Sequence, residues 1–357
     1  MALGGGSIRT TTFPGTYINF VSTANPYISG LGERGVVAMC FALPTATEKN
    51  VVECSADQFY GASNPLGTVY TEDSMWMFRE LFRHAKKVVV YNLKNEGTSL
   101  TAGLSALESY EFNVIVTAST EASDVTAIIT RVKSWRDELG KKVQAVVYNH
   151  AVEGDLNSVA TINVASQPII AEPAEGEEQL YTEAALVYWV AGAMAGCAVN
   201  KSCTNMMYDG ELTIKVDYTH SELQAFIDAG KIAFHQVYGD IRLLEDINSL
   251  VEPAADQNED FKYNQTIRVI DQIANDIAYL FNTKYLGRIG NNKSGRISLW
   301  SDIVTHHKEL ETIGAIENFN SDQVKVEMGD TIRSVKVMDT ITITGTMSQL
   351  FMTVVIE

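Results

Sequence analysis

Between Gly35 and Val164, short apolar runs alternate with amphipathic stretches. The runs Val36–Leu43, Val88–Tyr91, Val114–Thr117 and Val143–Tyr148, with a weaker one at Thr161–Val164, are rich in β-branched residues and almost unbroken by polar ones. That pattern predicts strands covered on both faces. Between them, Asp73–His84, Thr98–Leu107 and Asp124–Leu139 repeat apolar residues at helical spacing. Strand–helix–strand alternation of this kind predicts a mostly parallel sheet clothed in helices, hence an α/β class. Residues 167–180 (QPIIAEPAEGEEQL) read as a loop, and Tyr181–Val199 as a long buried helix. Gly192 and Gly196 within that helix predict the close approach of another backbone.

The pattern changes after about Leu250. The polar segment 252–260 reads as a linker or a helix approach, and the most regular helix of the chain follows. Ile267, Ile270, Ile273, Ile277 and Phe281 recur at spacings of three and four, with Arg268, Asp271, Gln272 and Asn275 opposite. A second helix is expected at about Ile297–Ile313, then alternating strands at Val324–Met328, Ile332–Val337 and Thr340–Thr346. The last eight residues, LFMTVVIE, have strand character with no turn after them. At the other end, residues 1–29 combine three glycines, a threonine run and Pro14-Gly15 with a short β-like segment, Tyr17-Ile18-Asn19-Phe20-Val21. They read as an arm. Sixteen extended residues reach ~50 Å, against a radius of gyration of ~20 Å for a globule of this length. The arm is therefore long enough to touch a neighbour. The expected division is an arm at 1–29, an outer α/β domain at 30–250, an inner C-terminal α+β domain at 251–340 and a C-terminal strand arm at 341–357.

Composition adds a charge pattern. The 357 residues carry a formal charge of −17, which argues against nonspecific binding to nucleic acid or anionic membrane. Residues 151–260 hold 19 acidic and 4 basic side chains, whereas 261–300 hold 6 basic and 2 acidic ones. Such asymmetry suits a protein that stacks on copies of itself or on an acidic partner, and equally suits a solvated acidic face. No signal-like apolar segment opens the chain, and the longest apolar run, residues 186–199, is too short for a bilayer. The scattered Cys40, Cys54, Cys197 and Cys203 read as reduced thiols of an intracellular protein.

Catalytic patterns are weak. Gly30-Leu31-Gly32-Glu33-Arg34-Gly35 matches G-x-G-x-x-G but precedes a strand instead of following one, so it reads as a turn. There is no G-x-x-x-x-G-K-[ST] and no G-x-S-x-G. His306 and His307, adjacent on a helix, point about 100° apart and do not form an i, i+4 metal pair; surface or capping roles are expected for the histidines. No cofactor, metal or catalytic residue is assigned. An unpaired terminal strand exposes a row of backbone donors and acceptors, which another chain satisfies by pairing with it. A contact of this sort that does not close on itself builds rings or helices.

Five stretches carry a family resemblance: PGTYINF (14–20), LFRHAKKVVVYNL (81–93), YTEAALVYWVAGAMAGCAVNKSCTN (181–205), the acidic passage ending in INSL at Leu250, and TIRVIDQIANDIAYLF (266–281). In this order the chain resembles the contractile tail sheath proteins of phages, above all the short sheaths of PBSX-like prophages and R-type bacteriocins. The resemblance implies a structural subunit, not an enzyme. Such subunits stack as hexameric rings in a helical array around an inner tail tube and contract to drive it through a cell envelope, with baseplate and tail terminator proteins as further partners. No direct contact with nucleic acid and no membrane insertion are implied. Assembly in the bacterial cytoplasm and a final place in the tail of a virion or bacteriocin follow. The inter-subunit arms would be Tyr17, Ile18, Asn19, Phe20 and Val21, and Phe351, Met352, Thr353, Val354, Val355 and Ile356. Lys284, Arg288, Lys293 and Arg296 are expected on the tube face, on charge and location. A tube or baseplate component, or an α/β enzyme with an unrecognised site, are the alternatives.

Overall fold

A computed structural model of the chain describes residues 31–45, 47–151, 157–170, 181–255 and 257–356. The first half builds one seven-stranded sheet from β1 (Val36–Phe41), β2 (Val51–Ser55), β3 (Lys87–Asn92), β4 (Val114–Val116), β5 (Gln144–Tyr148), β6 (Thr161–Val164) and β7 (Lys231–Ile232). The order is β2-β3-β1-β4-β5-β6-β7, parallel throughout except where β2 runs antiparallel to β3 at one edge. Five of these strands coincide with the apolar runs. β2 was hidden because Glu53 interrupts its pattern, as an edge strand allows.

Alternate side chains of the strands feed two cores. Val37, Met39, Val88, Val90, Val114, Val116 and Val146 point to one face; Ala38, Val89, Tyr91, Ile115, Ala145 and Val147 point to the other. The first face is covered by α2 (Trp76–Leu81) and α5 (Leu186–Gly196), the second by α3 (Leu100–Leu107) and α4 (Ala122–Asp137). Two short helices, α1 (Ala56–Tyr60) and α6 (His220–Asp228), and the hairpin of β8 (Phe234–Val237) and β9 (Asp240–Leu243) complete this part.

α5 is buried from Leu186 to Ala195, and its two glycines explain how. A Cβ on Gly192 would lie 2.4 Å from the Leu81 carbonyl oxygen, and one on Gly196 2.1 Å from that of His84. The helix is shorter than the expected 181–199, and carbonyls at its C-terminal end are capped from outside. Arg34 donates from Nε to Cys197 O at 3.3 Å and from Nη2 to Met194 O at 3.2 Å. Burial of this guanidinium, and then the nearby Arg268 charge, lower its pKa to about 10.

The second part is α+β. It contains α7 (Asn264–Leu280), a π-helical turn at Phe281–Tyr285, α8 (Lys293–Thr312), and the strands β10 (Ile316–Glu317), β11 (Lys325–Met328), β12 (Val335–Met338) and β13 (Thr342–Ile343). β11 pairs with β12 and β10 with β13, both antiparallel. The face of α7 opposite its isoleucines is buried against the α/β layers. Arg136 of α4 forms a two-pronged bond to Asp271 at 2.6 and 2.8 Å, and Arg268 reaches Asp246 at 3.2 Å. Asn275 exchanges two hydrogen bonds with the Lys142 backbone.

Two expectations fail here. His306 and His307 are not surface groups: both are essentially buried within α8, because each finds a carboxylate partner. And α8 begins four residues before Ile297, at Lys293, because the Asn292 side chain accepts from Gly295 N at 2.8 Å and starts the helix there.

Candidate assembly surface

The C-terminal segment leaves the subunit along α7. Thr344 N donates to Ala315 O at 3.1 Å. Gln265 of α7 then grips the next turn of chain: its Nε2 donates to Thr344 O at 3.1 Å, and its Oε1 accepts from Thr346 N and Oγ1, each at 3.0 Å. Beyond Thr346, no hydrogen bond among the described residues reaches the tail. Leu350, Phe351, Met352, Val354, Val355 and Ile356 are between 68% and 91% exposed. Among the described residues the tail belongs to no strand. A groove of about 620 Å³ flanks its root, with Tyr263, Gln265, Ile341, Ile343 and Thr346 in its walls. Nothing in the sequence singled out Gln265, whose partners lie about eighty residues away.

The C-terminal arm residues expected from the sequence are therefore together on one exposed segment. Tyr17–Val21, the other expected arm, lies outside the described residues. The four cations cluster around the α7–α8 connection but differ in their engagement. Lys284 Nζ bonds to Asp302 at 2.6 Å, and Arg296 Nη1 to Asn291 at 3.1 and 3.2 Å. Arg288 and Lys293 are exposed. Next to Lys284, burial and then a hydrogen bond to the Asp302 carboxylate raise the Tyr285 phenol well above its ordinary range. The start of α8 at Lys293 sets the surroundings of the last two cations. Lys293 and Arg296 stand in its first turn, at the positive end of the helix dipole, where a cation is disfavoured. The helix itself gives no reason for their charge.

Among the described residues no cluster of three or more His, Cys, Asp or Glu is placed to hold a metal ion, and no helix is long and apolar enough to cross a membrane.

Three family models match in succession: "Tail sheath protein Gp18 domain III N-terminal region" over residues 34–93, "Phage tail sheath protein central domain" over 94–249, and "Phage tail sheath C-terminal domain" over 256–357. The phage-like element PBSX protein XkdK of Bacillus subtilis is 29% identical over 229 residues, which cover 62% of this chain and 47% of that protein. The chain spans about half the length of the curated relatives it matches. Among solved structures, the sheath tail protein of Desulfitobacterium hafniense superposes with a TM-score of 0.75 at 23% identity, covering 92% of this chain and 96% of that one. The anti-feeding prophage helical sheath in its contracted state gives 0.67 at 14% identity, over 96% and 99%. At these identities the superpositions establish the shared fold.

Proposed function

The chain belongs to the contractile phage tail sheath family, a family of structural proteins and not of enzymes, and from that premise we propose that it polymerises as stacked hexameric rings around an inner tail tube and shortens to drive the tube through a cell envelope. The observation that carries this reading is the tail beyond Thr346. Seven residues from Leu350 to Ile356 hold six large apolar side chains in solvent, with backbone groups that the described subunit leaves unpaired. A strand of this composition is stable only when another sheet takes it up. The acceptor is a neighbouring copy, and Phe351, Met352, Thr353, Val354, Val355 and Ile356 are the donor strand. Tyr17–Val21 act as the second arm of the same mesh.

The division into an outer domain at 30–250 and an inner one at 251–340 belongs to this reading, with the inner domain toward the tube. Support comes from Lys293 and Arg296, whose charges oppose the dipole of their own helix and so call for an anionic partner outside the subunit. With Lys284 and Arg288 they form the tube face. Baseplate and terminator proteins close the two ends of the polymer. Assembly takes place in the bacterial cytoplasm, before the particle tail is released.

Negative-stain electron microscopy of the purified chain is the test. Hollow, ribbed cylinders are the expected result; discrete globular particles, with and without the tube protein, would refute polymerisation. Lys293→Glu combined with Arg296→Glu separates the two claims. That variant should still form empty cylinders but should no longer assemble around the tube; undiminished assembly on the tube would remove these residues from its face.

A further inference from the structure

We propose that His306 and His307 are positioning residues that join the roots of the two terminal segments in a single line of polar contacts, hydrogen-bonded at both ends and closed at its centre by the contact of the two imidazole rings, so that the direction in which one arm leaves the subunit is set together with that of the other. This rests on reading the two terminal segments as arms.

The line begins at Gly32, close to where residues 1–30 lead into the described chain. Gly32 N donates to the Asp276 carboxylate of α7, at 3.2 Å to Oδ1 and 3.1 Å to Oδ2. The fit is close: a Cβ on Gly32 would lie 2.5 Å from Asp276 Oδ1, so the carboxylate occupies the space a side chain would need. Gln272 Nε2 supports it by donating to Asp276 at 2.9 Å and to Gly32 O at 3.2 Å. Asp276 Oδ2 then accepts from His306 Nε2 at 2.9 Å. His306 Nδ1 faces His307 Nδ1 at 3.4 Å. His307 Nε2 donates to Asp339 Oδ2 at 2.5 Å. Asp339 sits between β12 and β13, just before the segment that Gln265 grips and the tail follows.

Tautomers follow from the partners. A carboxylate only accepts, so both rings carry their hydrogen on Nε2, and the two Nδ1 atoms face each other. Two ring nitrogens that both accept leave the rings in contact with no hydrogen bond between them, which makes this joint the weak one in the line. An apolar pair could fill the same volume beside Phe319, whose ring centre is 5.2 Å from that of His307. It could not hold Asp276 and Asp339 in fixed relation. Asp276 holds the backbone at Gly32, and Asp339 belongs to the stretch that leads into Thr344–Thr346. An arm pulled by a neighbouring copy therefore loads the root of the other arm through two imidazoles.

Hydrogen–deuterium exchange on the full chain, held below its assembly threshold, tests this. Asp339→Ala should speed exchange in the peptide covering 339–344 and also, by about fivefold, in the peptide covering 31–36, the size expected for loss of one net hydrogen bond. Asp339→Asn weakens the same bond without opening a cavity and should act in the same direction. In a His307→Gln background the Gln amide still donates to Asp339 but cannot reach His306, and there Asp339→Ala should change only the local peptide. Exchange at 31–36 that ignores Asp339 would overturn the proposal, as would a remote effect that survives His307→Gln. Failure of the chain to form cylinders would refute the arm reading while leaving the exchange result standing, so the two failures are distinguishable.

Discussion

Removing residues 347–357 tests the tail where its energetics are simplest. In a strand, side chains alternate between faces, so Leu350, Met352, Val354 and Ile356 share one face and Phe351, Thr353 and Val355 the other. All six apolar members are at least two-thirds exposed in the subunit. Covering the four-residue face in an acceptor contributes at least about 1.5 kcal/mol per side chain, or about 6 kcal/mol. Ordering the backbone costs about 1 kcal/mol per residue, and each ladder hydrogen bond returns about as much, so these two contributions offset to first order. Truncation after Thr346 should then weaken the subunit contact by a factor of about 10⁴. Sedimentation and electron microscopy across a concentration series would read this as loss of polymer at every accessible concentration. The subunit itself should be indifferent, because no hydrogen bond of the described structure reaches 347–356. Its melting temperature should stay within about 2 °C, the shift that less than 1 kcal/mol produces in a chain of this size. The reasoning fails if the truncated chain polymerises at the original threshold. It fails equally if melting drops steeply, since the tail would then be packing on its own subunit.

Asp271→Ala should destabilise the subunit by about 3–5 kcal/mol in denaturant titration, because it leaves Arg136 buried without its partner; the double change Arg136→Met with Asp271→Leu should recover most of that loss. Glu80 is buried against Tyr208 and the Glu211 backbone, and burial raises its carboxyl pKa. A raised folded-state pKa means that the carboxyl's contribution is fully present below the unfolded value of about 4.5 and is lost as pH rises. Glu80→Gln should therefore raise the melting temperature at pH 7 relative to the parent, and the gain should shrink as pH falls toward that value and be gone below it; a gain independent of pH would contradict the assignment.

The sheet was legible because its central strands are buried on both faces and so are written as unbroken β-branched runs. The helices around it followed from apolar spacing, and the Gly192–Gly196 pair announced a close approach whose partner, the end of α2, only the structure supplied. Long-range polar pairing was not legible. Periodicity marks α7 as amphipathic but says nothing of what its polar face meets; Arg136 and Asp246, which bury that face, come from other elements. His306 and His307 carried the same ambiguity, since their partners Asp276 and Asp339 lie about thirty residues away on either side. The start of α8 was misplaced because Lys293-Ser294-Gly295 reads as loop unless Asn292 is taken as the cap. With the start moved four residues earlier, Lys293 and Arg296 occupy the first turn of α8, the unfavourable end of its dipole for a cation. The exposed tail has strand character in its sequence, but no strand among the described residues pairs with it, so periodicity alone does not complete it.

The contrast between α7 and the tail sets where movement in a polymer falls. Pulling α7 from the α/β layers would strip Asp271 from Arg136 and Asp246 from Arg268, and an ionised group left buried without its partner costs several kcal/mol. Those pairs, with Asn275 on the Lys142 backbone, bind the two parts of the subunit along one face of one helix. The tail beyond Thr346 has nothing comparable, and its root is held by neutral hydrogen bonds from Gln265, each worth only about 1 kcal/mol net. A load applied through the tail therefore reorients the segment around Thr344–Thr346 before it separates α7 from α4. The subunit behaves as one stiff body on a compliant terminal joint, and any change in polymer length is taken up between copies.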